Sequence, residues 1–158
     1  MKIIGNGGHA KVIMPIVEAY GVGYFPYNFG FVAVGDNKAR KAEARRHADL
    51  RFPVLVSKDA RVSKDAIIGS GTVIMAGVIV QPGVRIGCHV ILNTGCTVDH
   101  DCVIEDYAHI APGAHLCGDV HIGEGTLVGV GVGIAPGCKV PAWSLVKARR
   151  LEIVPLTV

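Results

Sequence analysis

The sequence predicts a mainly β fold: a parallel β-helix of six-residue repeats, preceded by a small βαβαβ unit. Three observations predict it. Sixteen aliphatic residues recur at an interval of six with no gap and no insertion: Val56, Val62, Ile68, Ile74, Val80, Ile86, Leu92, Val98, Ile104, Ile110, Leu116, Ile122, Val128, Ile134, Val140 and Val146. Four places after each comes a small or β-branched residue, from Ala60 through Cys96 to Ser144. The place before that residue is often glycine, at Gly71, Gly77, Gly83, Gly95, Gly113, Gly125, Gly131 and Gly137. A fixed period marks a repeat architecture, and a period of six marks the hexapeptide β-helix. Glycine at that register suits a tight corner, where a side chain would cost strain.

Residues 1–55 lack the period and read as a shortened Rossmann-like unit. A short strand over 2–4 leads into a glycine loop over 5–9. A helix follows over 10–20, with Ile13, Ile16, Val17 and Tyr20 on one face at three- and four-residue spacing. Pro15 removes a backbone donor in its middle, and Gly21 and Gly23 end it. A second strand over 31–34 and a turn over 35–37 lead to a charged helix over 38–50 with alanines at 39, 42, 44 and 48. A third strand over 52–56 enters the repeat, and Pro53 is tolerable near its end.

Three hexapeptides make one triangular coil, so residues 56–145 form five coils of 18 residues, each about 4.8 Å above the last. The aliphatic and small positions fill the prism and the other four face outward. Left-handed winding is the habit of this repeat and does not follow from the spacing. The tail over 147–158 leaves the pattern and reads as an end cap, which a solenoid needs to cover unpaired edges. The expected divisions are 1–55, 56–146 and 147–158.

Composition narrows the function classes. Half of the 158 residues are hydrophobic and 18% are charged, which fits a globular chain. No apolar run reaches about 18 residues, so no transmembrane helix is expected. Gly5, Gly7 and Gly8 interrupt the N-terminus too early for a secretion signal, and a cytoplasmic location is expected. Cys96, Cys102 and Cys138 fall on the small inward register, while Cys88 and Cys117 face outward without a CxxC partner; neither a disulfide framework nor a zinc site is expected. Aromatic residues make up 6% and mostly precede the coils, which gives no stacking surface for nucleic acid.

Five histidines lie in the coils, at 89, 100, 109, 115 and 121, none at a core register. Taken singly, each reads as a solvated imidazole. His100 stands out because Asp99 and Asp101 flank it, and a carboxylate on one ring nitrogen raises basicity at the other. His109 lies nine residues on, half a coil, on the far side of the prism and more than about 10 Å away. One chain therefore cannot build one site from both; if both are catalytic, the site lies between subunits and the protein is a trimer. No two histidines are five apart, and His109, His115 and His121 point from successive faces, so no metal site is expected. The segment Gly5-Asn6-Gly7-Gly8-His9 follows a strand and opens a helix, a place where backbone N–H groups cradle phosphate or merely turn the chain. The basic run Lys38, Arg40, Lys41, Arg45, Arg46 and Arg51 reads as a solvated helix face.

Over almost its whole length the chain resembles bacterial acyltransferases of the sialic acid O-acetyltransferase and UDP-4-amino-sugar N-acetyltransferase family. Ile4-Gly5-Asn6-Gly7-Gly8-His9-Ala10-Lys11-Val12 resembles the opening loop, and Val34-Gly35-Asp36-Asn37-Lys38-Ala39-Arg40 the next strand and turn. Ile91-Leu92-Asn93-Thr94 and Val98-Asp99-His100-Asp101-Cys102-Val103-Ile104 resemble the catalytic segment, and Gly118-Asp119-Val120-His121-Ile122-Gly123 continues in register. The resemblance implies a left-handed β-helix homotrimer that takes acetyl-CoA as acyl donor and an amine or hydroxyl of a sugar or nucleotide sugar as acceptor. It implies His100 as general base and Asp101 as the acid that tunes it. It implies His109 near the acetyl group and Gly118 as a backbone contact to CoA. Gly5, Asn6, Gly7, Gly8 and Asn93 are implied in substrate binding. Residues 21–30, rich in Tyr, Phe and Gly, replace a strand that the family ends with paired acidic residues. The C-terminus is also short, so Lys147, Arg149 and Arg150 are left as phosphate contacts or a solvated tail. Two other readings stand beside the enzyme: a trimeric binding or scaffold protein derived from the family, and a metalloenzyme like the γ-class carbonic anhydrases.

Overall fold

The computed structural model describes residues 1–20 and 26–147. Sixteen two-residue strands begin at Leu55–Val56 and end at Leu145–Val146, one every six residues. Each pairs in parallel with the strand 18 residues on, as Leu55 with Val73 and Thr97 with His115. This gives three sheets of six, five and five strands, the faces of a triangular prism. The first face carries the strands that start at Leu55, Val73, Ile91, His109, Leu127 and Leu145. The second runs from Arg61 to Gly133 and the third from Ile67 to Lys139.

The six-residue period places the core where expected. From Ile74 to Ile134 every aliphatic position is buried, together with the small residues from Thr72 to Val132. Burial weakens at both ends of the prism, beyond which no further coil is among the described residues, and Cys138 is exposed there despite its inward register. All eight corner glycines have φ between +63° and +74°. Five other residues occupy the same register with φ between +53° and +60°: His89, Asp101, Tyr107, Asp119 and Trp143. The left-handed conformation costs an L-residue about 1–2 kcal/mol, so those five corners carry strain that the coil stack must offset.

The N-terminal unit is smaller than a βαβαβ fold. Strand β1 (Lys2–Ile4) pairs in parallel with β2 (Gly30–Val32), and the third strand is reduced to one bridge from Phe29 to Arg51. Leu55–Val56 belongs to the prism instead. Helix α1 (Gly8–Ala19) keeps Pro15 inside and buries Ala10, Ile13 and Val17; Tyr20 stays exposed and donates to the Val56 carbonyl at 3.0 Å. Helix α2 (Asn37–Arg46) is four residues shorter at its C-terminal end than expected, and the Asp36 carboxylate caps it by accepting from Ala39 N at 2.8 Å. The expected end cap, Arg149 and Arg150 with it, and the glycines expected to end α1 lie outside the described residues, except for exposed Lys147.

This unit lies over the first face. The outward residues Leu55, Val73 and Ile91 are buried under it, His109 is half-buried, and Leu145 at the far end is 55% exposed. His109 thus sits at the boundary between the covered and open parts of that face.

Candidate functional site

Two clusters of predicted residues emerge, on opposite sides of the prism. The first is at the corner between the second and third faces. His100 and Asp101 form its turn, after the Thr97–Val98 strand. Asp101 has φ +60°, and that conformation turns its carboxylate back along the chain. His100 Nδ1 donates to Asp101 Oδ2 at 2.9 Å, while Asp99 Oδ1 accepts from the His100 backbone N–H at 2.8 Å. The proton therefore lies on Nδ1, and Nε2 keeps a free lone pair. The hydrogen bond to Asp101 raises the His100 pKa above the ordinary imidazole value, with further help from the charges of Asp99, Asp101 and Asp119. Both side chains are well exposed.

Glycines frame this corner. Gly83, one coil earlier, leaves the space that Asp101 Oδ1 occupies, and Gly118, one coil later, is buried beneath the imidazole. A Cβ at Gly118 would lie 2.5 Å from His100 Cε1 and 2.6 Å from Nε2. The free nitrogen is thereby aimed along a backbone stripped of side chain.

The second cluster is where the N-terminal unit meets the first face. Asn93 Nδ2 lies 3.0 Å from His109 Nε2, and Asn93 Oδ1 accepts from Thr94 N at 2.8 Å. That second bond fixes the amide's orientation. Nδ2 is a donor only, so His109 Nε2 accepts and the ring proton lies on Nδ1. Burial and then the charges of Arg40 and His9 push the His109 pKa down to about 4, against a smaller upward pull from the Gly35 backbone. His109 is neutral at physiological pH.

Loops at the carboxyl ends of β1 and β2 close over this cluster, the usual ligand side of a parallel sheet. Gly5 has φ +106°, and a Cβ there would lie 2.7 Å from the Ala33 carbonyl oxygen; only glycine lets the two loops meet so closely. Asn6 is exposed, Gly7 is the N-cap of α1 and Gly8 its first residue. A Cβ at Gly7 or Gly8 would meet nothing within 4 Å, so both border open space. His9 follows, with Nε2 buried and without a hydrogen-bond partner among the described residues; burial and Arg40 push its pKa down to about 4.

Three residues depart from the sequence reading. Arg40 is not on a solvated face: it is 1% exposed. Its guanidinium donates to the carbonyls of His89 (2.8 Å), Tyr107 (2.6 Å), Ala108 (3.3 Å), Val34 (3.2 Å) and Gly35 (3.0 Å), and to Asn37 Oδ1 (2.8 Å). With Asn37 and Ala44, Arg40 forms the buried stripe of α2 at helical spacing. His89 is 7% exposed, not a surface imidazole. It stacks on Tyr107 with ring centroids 5.4 Å apart and meets Phe52 edge-on at 4.8 Å. Lys41 also leaves solvent: it pairs with Glu124 and lies over the rings of Tyr107 and Trp143. Among the described residues no three His, Cys, Asp or Glu side chains converge as a metal ligand set, and no helix is long and apolar enough to cross a membrane.

Comparison with known proteins shows the family and the fold. Residues 101–136 match the family model described as bacterial transferase hexapeptide (six repeats). No curated protein matches the sequence. Solved structures do. The acetyltransferase domain of PglB from Neisseria gonorrhoeae FA1090, in complex with acetyl coenzyme A, is 33% identical, with a TM-score of 0.85 over 91% of this chain and 85% of that one. PerB from Caulobacter crescentus, in complex with CoA and GDP-perosamine, is 31% identical, with a TM-score of 0.87 over 91% and 84%. WeeI from Acinetobacter baumannii AYE, at 19% identity and a TM-score of 0.64 over 91% and 94%, shares the fold. The chain belongs to the hexapeptide-repeat sugar acetyltransferases.

Proposed function

We propose that the protein transfers an acetyl group from acetyl-CoA to the amine of a nucleotide-linked sugar, with His100 as general base, in a site between subunits of a homotrimer. One observation carries the reading: His100 donates an Nδ1–H hydrogen bond to Asp101 and holds its Nε2 lone pair over the bare backbone of Gly118. That is a base with a fixed tautomer and a raised affinity for a proton, facing backbone without a side chain. The solved relatives crystallised with acetyl coenzyme A, or with CoA and GDP-perosamine, support the choice of donor and acceptor.

In the reaction the acceptor nitrogen attacks the thioester carbonyl carbon. His100 Nε2 takes the proton that the nitrogen sheds, and the Asp101 carboxylate stabilises the resulting imidazolium. The imidazolium then returns its proton to the departing thiolate. Proton transfer of this kind is worth about a hundredfold to ten-thousandfold, and holding both substrates in one cleft supplies most of the rest. The acceptor lies toward the loops of Gly5, Asn6, Gly7 and Gly8, where exposed backbone at the start of α1 suits phosphate. Because His100 and His109 stand on opposite sides of one prism, the neighbouring subunit contributes the His109–Asn93 pair. The test is an acetyl-transfer assay with acetyl-CoA and a panel of nucleotide-linked amino sugars. Turnover of one of them, and its loss in His100→Ala, supports the reading; a panel with no acceptor, or full turnover in His100→Ala, refutes it.

A further inference from the structure

Helix α2 is fastened to the prism along one corner. Asn37 Nδ2 donates to the Gly125 carbonyl at 2.9 Å, Arg40 reaches the carbonyls of His89, Tyr107 and Ala108, and Lys41 pairs with Glu124. Arg40 is the member that also faces the site. Its Nε and Nη2 hold the coil up to Ala108, the residue before His109. Its Nη1 holds Val34 and Gly35, in the loop whose backbone acts on the His109 ring. One buried guanidinium thus holds both the backbone that carries the imidazole and the loop beside it. The group is planar and rigid, with donors in a fixed fork, and its acceptors are carbonyl and amide oxygens.

We propose that Arg40 is a positioning residue for acyl transfer: it locks His109 with the proton on Nδ1 and with Nε2 as an acceptor that orients the Asn93 amide. The inference rests on the acetyl-transfer reading and deepens it. A His109 held this way carries its one N–H on Nδ1 and has none to spare on Nε2. It cannot donate to the oxygen that becomes negative as the thioester is attacked. That role falls to a backbone N–H or another donor, and His109 serves by orienting Asn93. The positive charge of Arg40 works in the same direction, because it opposes protonation of the ring. The titratable groups that act on His109 are Arg40 from α2 and His9 from α1.

The test begins with the native protein. Imidazole nitrogen shifts measured by NMR should show His109 as the Nδ1–H tautomer, neutral at pH 6 and titrating near about 4. A His109 that carries its proton on Nε2, or is charged at pH 6, overturns the proposal without any variant. Arg40→Gln and Arg40→Lys follow. In Arg40→Gln the His109 titration should rise toward the ordinary imidazole value and kcat should fall about tenfold to a hundredfold, as expected for a misplaced active-site group. Arg40→Lys, which keeps the charge and loses the fork, should keep the titration low while kcat still falls. Unchanged tautomer, titration and kcat in folded Arg40→Gln overturn the proposal, as does unchanged kcat in folded Arg40→Lys. Parallel assays of His100→Ala and His109→Asn separate the two claims. If neither slows transfer, the acetyl-transfer reading falls and takes this inference with it. If both slow transfer but the Arg40 variants behave as the native protein, this inference alone falls.

Discussion

The imidazole of His100 rests on the α-carbon of Gly118, exactly one coil of 18 residues further along the chain, so closely that a methyl group there would sit 2.5 Å from ring atom Cε1. The repeat itself produces this contact, because residues 18 apart stack in register. Gly118→Ala should therefore push the ring aside without disturbing the core. The expected outcome is a fall in kcat of about a hundredfold, the scale of a displacement near 1 Å at a reacting group. Thermal melts and turnover together check it: a large loss of activity with little change in melting temperature is the predicted pattern.

Asp101→Asn should act through His100. The hydrogen bond that His100 donates to Asp101 raises the imidazole pKa, and the base works only when neutral. Activity in the native enzyme therefore falls, as pH drops, at a higher pH than an ordinary imidazole would give. Removing the carboxylate should move that acid limb to lower pH and lower the plateau. The pH profile of kcat/KM for the two proteins checks both changes; an acid limb that stays in place contradicts the assignment.

Three imidazoles predict acid sensitivity of the fold. His9, His89 and His109 are each pushed down to about 4, chiefly by burial and secondly by the charge of Arg40. Their value in the unfolded chain is about 6.5. Between those limits the unfolded chain binds more protons than the folded one, so stability is full above about pH 6.5 and drains as pH falls toward 4. His100, raised rather than lowered, works in the opposite sense but lies exposed. The melting temperature measured from pH 7.5 to 4.5 should drop steadily below 6.5, and His89→Phe should flatten part of the decline.

The prism was legible in the sequence because one six-residue period fixes pairing, corner and core together. The places of His100, Asp101 and Gly118 in the coil followed from the same counting, whereas the roles of Asp101 and Gly118 came only from the family resemblance. Arg40 and His89 were not legible. Arg40 lies in a run of cations whose composition matches a solvated helix, and its burial depends on carbonyls that three separate segments of chain bring together. His89 occupies an outward register, and only the packing of Phe52 and Tyr107 encloses it. The third strand of the N-terminal unit was misplaced because Leu55 and Val56 suit either sheet, and the prism, with Val73 and Ile74 in register, takes them.

Gly125→Ala tests the corner that holds α2. Gly125 has φ +63°, and its missing side chain leaves the place that the Trp143 ring fills. Alanine there must adopt a left-handed backbone, at about 1–2 kcal/mol, and must also displace the ring from beside Lys41. A lowered midpoint in denaturant titration, with an unchanged slope, is the expected result.

The central claim is that His100 and His109 act together only across neighbouring subunits. Mixing inactive His100→Ala and His109→Asn subunits under conditions that exchange them tests it most directly. Random assembly about a threefold axis leaves roughly a quarter of the interfaces with both native residues. The account predicts that acetyl transfer returns to about that fraction of the native rate. A mixture that exchanges fully, as mass measurement of the trimers would show, and still stays inactive would contradict it.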